Sequence, residues 1–104
     1  MSGVDGLPAH FEVDDRLGLC ALFVSAPRRH LAYIKVLLES YEGVGVARTE
    51  RRFHTDDRAL LVLLLVPDFL DVAARLVALF EDEVGLRVED VGEKLREKLR
   101  SDLA

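Results

Sequence analysis

Two segments of this chain are apolar almost without interruption, Leu17–Val24 (LGLCALFV) and Ala59–Val66 (ALLVLLLV). Their length suits a strand better than a helix, and both are rich in residues that pack on a pleated surface. A strand with one wet face alternates apolar and polar residues. These two do not alternate, so both are expected in the middle of a sheet with both faces covered. Both are far short of the roughly 20 residues that span a bilayer. The fold must therefore supply material on each side of a sheet.

The segments between and after these runs suggest where that material comes from. Arg28–Tyr41 places Leu31, Ile34, Leu38 and Tyr41 at three-and-four spacing, the pattern of a helix buried on one face. Pro27 suits its first turn, and Gly43 suits a left-handed cap at its end. Val44–Phe53 is extended and carries Arg48, Glu50 and Arg52, as an edge strand does to discourage stray pairing. His54–Arg58 has turn chemistry. Pro67-Asp68 opens a second helix that Gly85 closes, and Leu86, Val88 and Val91 form a short last strand. After Gly92, a helix with Leu95, Leu99 and Leu103 on one stripe completes the chain.

This order predicts an α+β domain, a ferredoxin-like βαββαβ sandwich. Its four-stranded antiparallel sheet has the order 4-1-3-2, with two helices on one face and an added C-terminal helix. The expected divisions are a loose arm at 1–16, the ferredoxin-like domain at 17–92 and the amphipathic helix at 93–104. The two apolar runs fall on the central strands, where topology and composition agree. Two helices cover only one face, however. The other face requires the C-terminal helix, the arm or a second subunit. Because one narrow stripe is a poor cover for four strands, a second subunit is expected, most simply in a two-fold dimer, with Leu95, Leu99 and Leu103 as candidate interface residues.

A length of 104 residues holds one domain, and a net charge of −5 provides no overall attraction to nucleic acid or anionic lipid. The third strand has no aromatic residue on which a base could stack, so no nucleic-acid partner is expected. Cys20 is the only cysteine, which rules out an intrachain disulfide, and its apolar setting suits a small core residue. Met1–Gly6 has neither a basic start nor a long apolar run, so the cytoplasm is the expected compartment and no membrane association is expected.

The candidate chemistry is thin. Arg28, Arg29 and His30 stand in the first turn of a helix, where free N–H groups attract anions. The predicted topology brings His54 and Arg58 to the same end, with Asp56 and Asp57 beside them. These five basic residues are the candidate anion site, and the competing reading is a solvated rim of paired charges. No HExxH or Cys-x-x-Cys spacing, GxSxG, P-loop or dinucleotide fingerprint occurs, and no metal, cofactor or catalytic residue is expected. Ser25 has no base nearby in sequence and reads as a cap or turn residue. The expectation is a non-catalytic interaction or regulatory module that associates with itself. Small-anion or metabolite sensing at the first helix is the alternative.

Tyr33-Ile34-Lys35, then Glu39-Ser40-Tyr41-Glu42-Gly43, then Val46-Ala47-Arg48-Thr49 resembles a short bacterial domain family of uncharacterised function over roughly residues 17 to 66. That resemblance implies no catalytic residues. More broadly the pattern is similar to the regulatory ACT-type domains of the ferredoxin-like superfamily. In those domains a glycine-containing turn after the first strand binds an amino acid at a dimer interface. Here the turn is Ser25-Ala26-Pro27-Arg28, without the glycine, so the resemblance implies subunit pairing more than amino-acid binding.

Overall fold

The computed structural model describes residues 11–50 and 57–103. Strand β1 (Cys20–Pro27) leads through a 3₁₀ turn at Arg28–His30 into helix α1 (Leu31–Ser40). Strands β2 (Gly45–Glu50) and β3 (Arg58–Leu65) follow, then helix α2 (Leu70–Val84), the two-residue strand β4 (Arg87–Val88) and helix α3 (Gly92–Leu103). The four strands form one antiparallel sheet in the order β2-β3-β1-β4, which is the predicted order read from the other edge. The two apolar runs supply the central pair, in a register that sets Cys20 opposite Leu65 and Pro27 opposite Arg58.

Several boundaries differ from the sequence reading for identifiable reasons. β1 begins at Cys20 instead of Leu17 because Asp14 folds the preceding residues into a turn. Its carbonyl accepts the N–H groups of Leu17 and Gly18, its carboxylate accepts those of Arg16 and Leu17, and its own N–H donates to the Leu19 carbonyl. Gly18 meets the turn's need for positive φ, at 68°. At the far end Pro27 is still extended, with ψ 135°, and closes the strand instead of opening the helix. α1 stops at Ser40, and the cap residue is Tyr41 in an extended conformation. Gly43, at φ 85°, serves the following tight turn, in which Val44 N–H donates to the Tyr41 carbonyl. Gly85 does cap α2, in the left-handed region at φ 70°.

Alternation along each strand divides the apolar side chains between two cores. Cys20, Leu22, Val24 and Ala26 of β1 and Leu61, Leu63 and Leu65 of β3 face α1 and α2. There they meet Ile34 and Leu38, and Leu70, Leu76, Val77 and Phe80. Phe11 joins this core at 2% exposure, so the described part of the N-terminal arm is anchored where the sequence suggested a loose segment. On the opposite face Ala21 and Phe23 of β1 and Leu60, Val62 and Leu64 of β3 pack under Leu95 and Leu99 of α3. Leu17, Leu19 and Val91 fill the flanks.

The apolar surplus that suggested a second subunit is therefore closed within one chain, with Phe23 at 1% and Val62 at 2% exposure. The stripe on α3 suffices because the Asp14–Leu19 turn brings Leu17 and Leu19 to its side, and because the Arg96 guanidinium lies 5.3 Å from the centre of the Phe23 ring.

Candidate functional site

The polar residues that meet inside the fold sit where β1, β3, β4 and the end of α2 converge. Ser25 is almost fully buried near the end of β1, directly opposite Leu60 on one side and Arg87 on the other. Its hydroxyl donates to Glu89 Oε2 at 3.3 Å and accepts from Arg58 Nε at 3.1 Å. Arg58 Nη2 also donates to the Ser25 and Gly85 carbonyl oxygens, both at 2.8 Å. The Gly85 carbonyl belongs to the C-terminal end of α2, where a cation complements the helix dipole. Burial holds the Arg58 guanidinium below its ordinary pKa, the charge of Arg87 pushes the same way, and Glu89 opposes both.

This clasp borders an open cleft of about 330 Å³ that also touches Leu60, Arg87, Asp90 and Val91. Two arginines and two acidic residues line it, so its charges balance. Ser25 lies in a strand, and Glu89 is the acidic partner that sequence proximity could not reveal: the two are 64 positions apart. Through these bonds Arg58 ties its own strand β3 to β1 and to the C-terminal end of α2.

The candidate anion residues come only partly together. Arg28 N–H donates to the Asp57 carbonyl at 3.1 Å, so the start of the first helical segment and the start of β3 do share one end of the sheet. Arg28 and Arg29 are exposed and His30 is half-buried, and no acidic residue stands in that first turn. The Arg58 side chain instead runs to Ser25 and Gly85. His54 lies outside the described residues.

Of the three candidate interface leucines, Leu95 and Leu99 are buried against the sheet of their own chain, and the side chain of Leu103 lies outside the described residues. Around them runs a charge network of which the sequence shows only the acidic–basic neighbours within the helix. Arg100 donates to Asp14 at 2.7 Å, to Glu93 at 2.7 Å and to Glu97 at 2.8 Å, and Arg16 pairs with Glu97. Burial pushes the Asp14 carboxyl up, but hydrogen bonds from Arg100 and from the N–H groups of Arg16 and Leu17 outweigh it and hold the pKa below the ordinary value. Hydrogen bonds from Arg100 and then Arg16 lower that of Glu97. The Glu97–Arg100 pair, three residues apart on α3, was legible, but the partners in the arm, Asp14 and Arg16, were not.

Among the described residues, no group of three or more His, Cys, Asp or Glu side chains is placed to hold a metal ion. No described helix is long and apolar enough to cross a membrane. Cys20 is buried, and desolvation pushes its thiol up to about 11, where the reactive thiolate is scarce at neutral pH. Neither a protein-family model nor a curated protein matches the chain.

Proposed function

We propose that this chain is a non-catalytic interaction module of ferredoxin-like build that associates with itself. The observation that carries the reading is a contiguous apolar patch left exposed on the outer side of α1. Val36 on α1 is 70% exposed and Tyr33 is 43% exposed. With Ala32, Leu37 and Ser40 they line a shallow depression of about 370 Å³ on the outer side of α1. The Tyr33 hydroxyl donates to Glu83 at 3.2 Å, which holds the ring against α2. Exposed single apolar residues are common, but a contiguous group on one helix face is a usual mark of an interaction surface.

Light scattering at micromolar concentration tests the reading. The expected result is a dimer mass for the native chain, weakened by Val36→Glu. A monomer mass for the native chain would remove self-association. A second reading, recognition of a small anion, is favoured by the two exposed arginines at a first helical turn without acidic residues. Phosphate should then raise the melting temperature of the native chain more than that of an Arg28→Ala/Arg29→Ala variant. Equal shifts would reduce the effect to general salt behaviour.

A further inference from the structure

The outer side of α1 carries a protruding group and a recess side by side. Val36 projects from the middle of the helix, 70% exposed, and Ala32, Tyr33, Leu37 and Ser40 line the depression next to it. Ala32 and Ser40 lie one turn before and one turn after Val36, and their small side chains let another backbone come close. Tyr33 is held by its bond to Glu83 and stands edge-on to Phe80, with ring centroids 6.1 Å apart, so one wall of the recess is already in place. Such a recess takes an apolar side chain from a facing helix as a hole takes a knob. The charges at the two ends of α1 run in an order that does not serve the helix itself. Arg28 and Arg29 precede it with no acidic residue in its first turn, Glu39 lies in its last turn with no basic residue there, and Glu42 follows. Cations at the start of a helix and anions at its end oppose its dipole. Among the described residues, Arg28, Arg29 and Glu42 form no ion pair.

We propose that the outer face of α1 binds the same face of a second copy, antiparallel and about a two-fold axis beside Val36, with Arg29 and Glu42 fixing the direction. In that arrangement each Val36 enters the recess of the other copy, and each contact occurs twice, as a two-fold interface requires. Arg29 and Glu42 stand seven and six residues from Val36 on either side, so the basic end of each helix comes into register with the acidic end of the other. A parallel pairing would set like charges together. The knob, the recess and both charges belong to one helix, which makes a second copy the occupant that fits them all. The contact is one helix of 10 residues per copy, a size that suits a reversible dimer. This inference rests on the self-association proposed above and names its register and the charges that select it.

Charge reversal and cysteine reporters in the full chain test it. By light scattering, Arg29→Glu and Glu42→Arg should each weaken the dimer about tenfold, since two attractions become two repulsions. The double variant Arg29→Glu/Glu42→Arg should regain the native dimer, because each reversed charge again meets its opposite. Both positions are exposed, so thermal melts of the three variants should match that of the native chain. Mild oxidation of Val36→Cys should give a covalent species of twice the chain mass, because the axis sets the two thiols together. Lys35→Cys, exposed on the flank of the same helix, should not, and the buried Cys20 stays out of the reaction. In a protein that light scattering shows to be a dimer, three results would overturn the antiparallel pairing and leave self-association standing. They are single reversals without effect, a loss that the double variant does not repair, and equal cross-linking at positions 35 and 36 or at neither. A monomer mass for the native chain, as expected if this face serves a different partner, would overturn both.

Discussion

The two faces of the sheet are built from the same two strands, residue by residue in alternation, yet they are closed by different means. Towards α1 and α2 the closure is almost wholly apolar, with Leu63, Leu65, Ile34, Ala73 and Phe80 at 0% exposure. Towards α3 the corresponding residues keep slightly more contact with water, Ala21 and Leu64 at 8% and Leu60 at 6%, and a ring of charged groups secures the cover. The difference shows how one continuous apolar strand can serve two cores of unequal depth. The deep core depends on shape and area, the shallow one on a single amphipathic helix and on charges that respond to pH and salt.

The sharpest way to break that comparison is to remove the same side chain from each face. Leu63→Ala should cost stability near the upper end of the ~2–5 kcal/mol range for buried leucines, since two helices hold the cavity open. Leu64→Ala, its neighbour on the opposite face, should cost near the lower end, because α3 can settle into the space. Urea melts of the two variants decide the matter: equal losses would mean the faces are equally rigid. A loss below about 0.5 kcal/mol for Leu63→Ala, the range of a surface change, would contradict its placement altogether.

Acid should separate the faces next. Asp14 and Glu97 have lowered folded-state pKa values, so their contribution is present above the unfolded values of 3.8 and 4.5 and is lost as pH falls through the folded ones. Hydrogen exchange across that window should deprotect amides of α3 before those of α2. Simultaneous loss in both helices would show that the charges around α3 do not govern its attachment. The smallest effect on stability is expected on the outside of α1. There Val36→Glu should stay within about 0.5 kcal/mol of the native chain while weakening self-association.

Much of the fold was legible in the residues because the relevant forces act locally. The apolar runs marked β1 and β3 as central, the three-and-four spacing marked α1, and Pro67-Asp68 and Gly85 bracketed α2. Asp14 was harder to read. Its turn depends on side-chain hydrogen bonds that resemble ordinary polar loop residues, and so the start of β1 shifted by three positions. The anchoring of Phe11, in a segment expected to be a loose arm, was hidden for a similar reason: it is a matter of long-range packing.

What the sequence by itself determined was the alternation of two apolar faces on a central strand pair, since a side chain's face follows from the pleat alone. It could not determine what covers each face. An apolar stripe such as Leu95 and Leu99 is complementary to any apolar face within reach, in its own chain or in another. The same limit applied to the Arg58–Ser25–Glu89 clasp and to the Asp14–Arg100 pair, whose members lie far apart along the chain. Only the tertiary structure decided these pairings. Hydrophobic attraction is non-directional, and closeness in space comes from the path of the backbone, here the turn at Asp14 and the positive-φ Gly92 at the start of α3.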